Sequence, residues 1–373
     1  GLQRRRCSAD CNQSTAATLV GLAIGTTFSA SLPLLPLAVA VYLSTTDIRL
    51  GRLFLTGIVV LLTFVITNPF TILDQSCELL SPAMSFGPVH VSSIDWGSCY
   101  LSNVFTQGAM VRGQYDLGFA RQYAGTWPYI YFVEMQLRWG MGWALGLLAF
   151  VSFAWAIWIT VLPIWRRLSS SAKDKPGPLP AVTIGLLVLL LFAVPFFLIT
   201  GSFQVKFMRY MQPLTPLLML FAAALIFRVK NRFLRALVIA LVLLPTAVYA
   251  LSFMNIYHYD HPWEEASRWV YANVRPATLI ASEQWDDRLP TSMMIDGELR
   301  RRHEYRNREL TWLTGPDARD NEAKLERNLQ LLEQAEYITL MSNRVYGVVP
   351  RLQERYPLSN VYHQLLFDGK LGY

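Results

Sequence analysis

Long apolar runs alternate with short basic segments over the first two thirds of the chain. Runs of this length and composition are typical of helices that cross a bilayer. An earlier apolar stretch, 17–43, is interrupted by polar residues and Pro33. We interpret it as a broken hairpin of two half-helices, with a single span as the alternative. The predicted spans lie near 53–67, 141–165, 181–200, 212–227 and 236–256, and a polar and aromatic outer loop lies at 70–138.

The basic residues between these runs predict the orientation of the chain. They are concentrated in segments 4–6, 49–52, 166–167 and 228–235. Short basic segments of membrane proteins stay on the cytoplasmic side. The loop 70–138, the turn 201–211 and the C-terminal region then share the opposite side. The pattern therefore predicts a multi-pass protein of the cytoplasmic membrane whose C-terminal domain is extracytoplasmic.

The last third of the chain has the pattern of a domain with both helices and strands. Amphipathic segments predict helices at Trp263–Val274, Asn321–Ala335 and Asn360–Phe367, and short apolar segments predict strands at Thr278–Ala281 and Tyr337–Leu340. Alternating helices and strands favour a small layered sheet. The predicted fold class is mainly α, with a polytopic membrane helical domain at 1–256 followed by a small extracytoplasmic α/β domain at 257–373.

Composition supports this division. The 373 residues are 53% hydrophobic and only 16% charged, whereas about a quarter of the residues in a soluble domain are charged. The net charge is +7, yet residues 257–373 carry 15 Lys/Arg against 18 Asp/Glu. The basic excess therefore belongs to the apolar part, where it indicates topology and contact with membrane lipid rather than nucleic acid.

Four cysteines are too few for a disulfide scaffold. Cys77 and Cys99 share one loop and can pair if that loop faces an oxidising space. Cys7 and Cys11 precede the first apolar run without a nearby metal-binding partner, and we expect free thiols there. The sequence opens at Gly1 on an Arg-rich stretch without the layout of a signal peptide, so we expect it to begin inside a longer protein.

The turn at 201–216 carries the first candidate site. Lys206 and Arg209 lie three positions apart and share a face if the segment continues as a helix. Two cations beside the aromatic ring of Tyr210, at a membrane face, suit the phosphate of a lipid carrier. The alternative is that both cations only reach to lipid headgroups.

Four residues of the outer loop are further candidates. Asp74, just beyond a predicted membrane exit, is a candidate catalytic acid, and the alternative is that it caps or solvates a loop. Arg121, Gln122 and Tyr129 are candidates for the donor pocket, because arginine pairs with phosphate and tyrosine offers a ring and a hydroxyl. Their alternative role is packing of the loop against the membrane part.

Two polar clusters in the last third of the chain are weaker candidates for a functional site. Glu283, Asp286 and Asp287 follow a predicted strand and can touch an acceptor, or form a solvated turn. The second cluster consists of His258, Asp260 and His261, which have zinc-ligand chemistry. Their place at the end of a span favours an interfacial anchor, and we assign no metal site.

Several stretches together resemble one family, the membrane glycosyltransferases of the protein O-mannosyltransferase and aminoarabinose-transferase type, which have the GT-C fold. Residues 121–131, RQYAGTWPYIY, resemble the family segment RQY-x-x-T-x-PY-x-Y, and Trp139–Gly142 follows it. Lys206, Arg209, Tyr210, Pro213 and Pro216 match K-x-x-RY-x-x-P-x-x-P. The C-terminal region is similar to the outer domain of bacterial members at His261-Pro262, Ala266, Trp269, 283–287, Leu289-Pro290, 342–344, 355–357 and 366–372.

The resemblance implies transfer of a sugar from a polyprenyl-phosphate-linked donor to an acceptor lipid, glycan or protein on the outer side of the membrane. It assigns the essential acid to a first outer loop that is not in this sequence, so we expect the chain to be inactive by itself. Thr27 stands where relatives often have a lysine. The cofactor is left open, with a divalent metal as one possibility.

Two other classes of protein remain as alternatives. A transporter or channel needs ionisable residues along its spans, and these spans are almost free of charge. A non-catalytic envelope-assembly or binding protein would use the outer domain as a binding module. An acidic residue in an upstream outer loop favours the enzyme over this second alternative.

Overall fold

The computed structural model describes residues 2–26, 31–44, 49–77, 84–86, 89–91, 98–115, 118–169, 180–283, 287–312 and 319–373. The chain divides into two compact units. The first consists of Gly1–Tyr115 and Trp127–Ala247, and the second of Asp116–Thr126 and Val248–Tyr373. The chain is mainly helical, as predicted, and a small sheet lies near its C-terminus.

Eleven α-helices lie before residue 255 in the part of the chain that is described. Five segments are long and apolar enough to cross a membrane: Leu50–Thr67, Trp143–Arg167, Ala181–Gly201, Met208–Ile226 and the run that starts at Arg232. The helices are α1 Leu2–Thr26, α2 Leu34–Ser44, α3 Arg49–Thr67, α4 Phe70–Leu73, α5 Cys99–Val111, α6 Gly118–Arg121, α7 Ile130–Met135, α8 Trp143–Ser169, α9 Ala181–Gly201, α10 Thr215–Ile226 and α11 Arg232–Met254. A short hairpin, β1 Met84–Phe86 and β2 Val89–Val91, lies between α4 and α5.

The first apolar stretch is interrupted, but its first helix is longer than a half-helix. α1 has 25 residues and begins well before residue 17, and α2 begins only at Leu34. Thr27, where the family resemblance places a lysine, lies outside the described residues. The interruption is therefore present, whereas the boundaries of the predicted hairpin are not.

α1 packs closely against α3 because glycines face it. A Cβ on Gly21 would lie 2.7 Å from Cβ of Thr63, and one on Gly25 would lie 2.4 Å from the Asn68 side-chain nitrogen. The Gln13 amide also donates to the Thr56 hydroxyl over 2.6 Å. Small residues and interhelical hydrogen bonds are the usual means of joining helices in lipid, where burial in the interface brings little hydrophobic gain.

The main core of the first unit joins α8, α9 and α10. Phe153 stacks on Phe221 with ring centroids 5.7 Å apart, and small residues such as Ala149, Ala156 and Ala193 let the helices approach. Phe132 of α7 and Met211 also belong to this core. The core thus extends to the segment between α9 and α10, which holds the candidate site in place. The outward faces carry exposed apolar side chains, as expected of helices that face lipid.

The described residues of the second unit contain α6, three further helices and a three-stranded parallel sheet. The elements are α12 Pro262–Asn273, β3 Leu279–Glu283, β4 Met293–Ile295, β5 Glu298–Arg300, β6 Arg306–Leu310, α13 Glu322–Gln334, β7 Tyr337–Thr339 and α14 Pro357–Phe367. The sheet order is β6-β3-β7, and every residue of the central strand β3 is buried. The three predicted helices and two predicted strands are present, with small shifts at their ends. The hairpin β4–β5 and the edge strand β6 were not predicted.

Asp320 ties the start of α13 to the start of α14. Its carboxylate accepts from the Ser359 N–H (2.7 Å) and hydroxyl (2.6 Å), and from the Lys324 ammonium (3.0 Å). Both charged side chains are almost completely buried. A buried ion pair that also satisfies neighbouring donors fixes one arrangement of the two helices.

Asp320→Ala should destabilise the second unit by about 3–5 kcal/mol, because it leaves the Lys324 charge buried beside lost hydrogen bonds. Hydrogen exchange of the α13 and α14 amides in the intact chain measures the change. The matched control is Glu322→Ala, since Glu322 is exposed on the same helix. Equal exchange in the two variants would contradict the role given to Asp320.

Candidate functional site

The segment between α9 and α10 is irregular at first and then helical. α9 ends at Gly201, residues 202–207 follow without regular structure, and a 3₁₀ helix covers Met208–Leu214. Lys206 precedes this helix, and Arg209 lies within it. The condition for a shared helix face is therefore not met, because Lys206 lies before the helix begins. We call residues 202–210 the cationic turn.

Lys206 is the buried cation of this turn. Its side chain is only 1% exposed, and its ammonium donates to the Gln204 carbonyl over 3.2 Å. Burial lowers the pKa of Lys206, because removal from water disfavours the charged form. A lysine that only reached to lipid headgroups would keep its charged end in water, which this side chain does not do.

Arg209 is exposed and lies on aromatic rings. Its guanidinium carbon is 4.4 Å from the centre of the Phe207 ring and 5.9 Å from that of Tyr210. The Tyr210 ring also meets Phe203 and Phe207 edge to face. Such stacking holds the guanidinium in one place while its N–H groups remain available at the surface.

Tyr129 joins the same site from the outer loop. Its N–H donates to the Gly201 carbonyl (2.9 Å), and its hydroxyl donates to the Leu198 carbonyl (3.2 Å). A Cβ on Gly201 would lie 2.3 Å from the Tyr129 ring, so only glycine allows this approach. Tyr129 has a φ of +60°, which is costly for a residue with a side chain. The predicted donor-pocket residue Tyr129 and the cationic turn are thus brought together.

The end of α5 completes this arrangement. The Val111 carbonyl accepts from the N–H groups of Gln204 (2.8 Å) and Val205 (3.1 Å). Arg112 directly follows Val111 and is half-buried, and burial lowers its pKa. Sequence reasoning missed Arg112, because nothing in the pattern relates a loop helix to a turn between two spans.

Asp74 lies at the other end of this loop helix. Its carboxylate accepts from the Ser76 hydroxyl (2.7 Å) and N–H (3.3 Å), which is the pattern of a loop cap. Cys77 and Cys99 form a disulfide beside it, so the start of α5 is held to the segment that follows α4. These contacts suit the capping alternative, and a catalytic role of Asp74 stays a prediction.

Arg121 and Gln122 belong to the second unit. The Arg121 guanidinium lies 6.0 Å from the centre of the Tyr356 ring. The Gln122 and Ala124 carbonyls accept from Arg351 over 2.9 Å and 3.4 Å. These contacts attach residues 118–126 to the segment before α14. A role of Arg121 and Gln122 in donor binding remains a prediction.

Glu283 is not part of a solvated turn, which corrects that expectation. It is the last residue of β3, its side chain is 2% exposed, and it bonds to His363 Nε2 over 2.6 Å. His363 Nδ1 lies 2.8 Å from the Ser359 carbonyl, which can only accept, so Nδ1 carries a proton. Asp287 is exposed, and Asp286 lies outside the described residues.

The residues His258, Asp260 and His261 are all exposed. Nδ1 of His261 accepts from the Trp263 N–H and caps α12. Among the residues that the structure describes, no three His, Cys, Asp or Glu side chains are close enough together to hold a metal ion.

Gly201→Ala should loosen the junction between Tyr129 and the cationic turn, because the added methyl group takes the place of the ring. Overlap of this kind typically costs about 1–3 kcal/mol. Faster hydrogen exchange at 129–133 is the measurement. Gly185→Ala on the same helix is the control, since a Cβ there meets nothing within 4 Å. If both variants exchange alike, the junction is not close-packed.

Glu283→Ala should destabilise the second unit by about 3–5 kcal/mol, the usual cost of removing one member of a buried pair. Glu283→Gln should cost much less, because its amide can donate to a neutral imidazole. Chemical denaturation followed through hydrogen exchange of β3 compares the two. Equal losses would mean that the volume of the side chain matters and its hydrogen bond does not.

Comparison with known proteins yields no family assignment. No family model, curated protein or solved structure significantly matches the chain.

Proposed function

We propose that the cationic turn binds the phosphate of a polyprenyl-phosphate-linked sugar, and that the chain forms part of a membrane glycosyltransferase. The enzyme moves the sugar to an acceptor lipid, glycan or protein on the outer side of the cytoplasmic membrane. The sequence resemblance to lipid-linked-sugar transferases supports this choice. The geometry around Lys206 supplies the physical argument.

One observation carries the proposal. Tyr129 and Lys206 come from two segments that are far apart in sequence, and each matches a different element of the resembled family. The Tyr129 N–H bonds to Gly201, the last residue of α9, directly before the cationic turn. Two cations and aromatic rings therefore gather at one end of apolar helices. A phosphate at the end of a long isoprenoid chain needs such a combination of charge and apolar surface.

The reaction assigns a clear task to these residues. The acceptor oxygen attacks C1 of the sugar and loses its proton to a carboxylate base. The bond between C1 and the phosphate oxygen breaks, and its electron pair stays on the phosphate, which gains negative charge. Lys206 and Arg209 hold that phosphate and stabilise the charge it gains. We do not assign the base to Asp74, because its carboxylate already caps the turn at Ser76.

The proposed side of the membrane has independent support. The disulfide Cys77–Cys99 lies in the loop that contributes α5 to the site. Disulfides persist in oxidising compartments and are rare in the cytosol. This suits a site that faces away from the cytoplasm.

Lys206→Met should weaken binding of an isoprenyl phosphate by about 10- to 100-fold, since a hydrogen bond to a charged group contributes about 1.5–3 kcal/mol. The measurement is titration of geranylgeranyl phosphate into the chain in neutral-lipid nanodiscs, with geranylgeraniol as the uncharged reference. Lys230→Met is the control, because Lys230 is an exposed cation in the segment between α10 and α11.

Binding is tested apart from transfer, because the resemblance assigns the catalytic acid to a loop that precedes the matched residues. If the parent chain binds the alcohol as tightly as the phosphate, the phosphate seat does not exist. If Lys206→Met and Lys230→Met lose affinity equally, the attraction is a general effect of basic charge and the turn has no special part in it.

A further inference from the structure

The disulfide Cys77–Cys99 lies against a carboxylate. Oδ1 of Asp74 is 3.3 Å from Sγ of Cys99. A disulfide sulfur carries no hydrogen, so this contact is not a hydrogen bond, and it places a negatively charged oxygen beside the electron pairs of the sulfur. The Ser76 hydroxyl donates to the same oxygen over 2.7 Å and lies 3.8 Å from the same sulfur. The carboxylate is therefore held at the disulfide by its own loop.

Cys99 stands at a position that favours a thiolate. It is the first residue of α5, and the Ser98 hydroxyl caps this helix. The N–H groups at the start of a helix stabilise a thiolate, which makes such a cysteine a good leaving group in thiol–disulfide exchange. A carboxylate in contact with the sulfur opposes this effect, because two negative charges repel each other at short distance.

Reduction of the disulfide requires attack by an external thiolate, and Asp74 opposes both ways in which this attack can occur. The thiolate forms a bond to one sulfur, and the electron pair of the broken disulfide bond leaves on the other sulfur. A second thiol then releases the attached one as a small-molecule disulfide, and both cysteines become thiols. A reagent that attacks Cys99 brings its charge to Asp74. A reagent that attacks Cys77 makes Cys99 leave as a thiolate beside Asp74.

The disulfide holds the start of α5, and the end of α5 holds the cationic turn. Cys99 is the first residue of this 13-residue helix, and Val111 is the last. The Val111 carbonyl accepts from the N–H groups of Gln204 (2.8 Å) and Val205 (3.1 Å). An α-helix is a stiff connection, because every turn is closed by backbone hydrogen bonds. We therefore expect a helix that is released at its start to loosen the turn at its end.

A simpler role for Asp74 is to cap its loop through the bonds from the Ser76 hydroxyl and N–H. An asparagine at this position would cap the loop as well, because its side-chain oxygen accepts the same bonds. Capping also predicts no dependence on the charge of an attacking reagent. It leaves the contact between Oδ1 and the Cys99 sulfur without a purpose.

We propose that the Asp74 carboxylate protects the Cys77–Cys99 disulfide from reduction by thiols, and that the disulfide thereby keeps α5 and the cationic turn in place. Both cysteines are half-buried, so burial alone does not shield the sulfur atoms from a small thiol. Repulsion by a carboxylate acts on the thiolate, which is the form that attacks. This inference is independent of the proposed function, because it involves no ligand at the turn.

The test compares three thiols whose thiolates differ in net charge. The cysteamine thiolate is neutral overall, that of 2-mercaptoethanol is singly negative, and that of 2-mercaptoethanesulfonate is doubly negative. Each reduces the intact chain in neutral-lipid nanodiscs, and alkylation of Cys77 and Cys99 followed by mass spectrometry gives the rate. Asp74→Asn should accelerate reduction by 2-mercaptoethanol about 10-fold, since it removes one charge a few ångströms from the reacting sulfur atoms. The acceleration should be larger for the sulfonate and smaller for cysteamine.

Glu134→Gln is the control, because it removes the same charge from another helix of the first unit, where Glu134 pairs with Arg138 over 2.9 Å. Hydrogen exchange at 99–111 checks that α5 stays folded in oxidised Asp74→Asn. Equal acceleration of all three thiols would mean that the substitution only opens access to the disulfide, and this would overturn the protection. No acceleration, or an equal effect of Glu134→Gln, would overturn it too.

Reduction of the parent chain tests the link to the cationic turn. The Gln204 and Val205 amides should exchange about 10-fold faster once the disulfide is reduced, because their acceptor is less firmly held. The Tyr129 amide is the internal control, since it bonds to the Gly201 carbonyl and not to α5. A chain in which both cysteines are replaced by serine repeats the comparison without a reductant. Unchanged exchange at Gln204 and Val205 in both experiments would show that the disulfide does not hold the turn.

Discussion

The backbone contact between the end of α5 and the cationic turn is the constraint on which the site depends. Residues 202–207 of the turn have no regular structure, so their N–H groups need acceptors. At the edge of an apolar helix bundle an unpaired N–H is costly. Val111 accepts from two of these groups, and on the other side Gly201 accepts from Tyr129. These hydrogen bonds fix the backbone next to Lys206, Arg112 and Tyr129, and so they determine where these three residues lie.

This arrangement explains how a lysine can be buried at the end of a span. Burying an ammonium costs several kcal/mol unless hydrogen bonds and countercharge compensate it. The Gln204 carbonyl provides one hydrogen bond, which by itself contributes about 1.5–3 kcal/mol. Arg209 differs, because it stays exposed on the Phe207 and Tyr210 rings and gives up little solvation.

Sequence reasoning succeeds here where local pattern decides structure. The apolar runs, the helix Asn321–Ala335 and the buried strand β3 follow from periodicity alone. The edge strand β6 does not, since in Arg-Asn-Arg-Glu-Leu only the last residue is buried and the alternation is of charged residues. The sequence did contain a signal for the hairpin β4–β5, namely the Asp296-Gly297 dipeptide directly after the apolar residues 293–295. The sequence contained no signal for the contact between Glu283 and His363, because His363 lies far along the chain and is brought near only by packing.

Local sequence patterns also fail to reveal the contacts of the candidate site. These contacts differ from those of the buried charged pairs in the second unit. In the described part of the second unit, two buried side chains have their counterpart within the fold: Lys324 with Asp320, and Glu283 with His363. Such pairs hold elements together and need no ligand. At the cationic turn the backbone brings two other segments of the first unit together, through the two hydrogen bonds that the Val111 carbonyl accepts. Both arrangements depend on contacts between segments that lie far apart in the chain, and a local sequence pattern does not reveal such contacts.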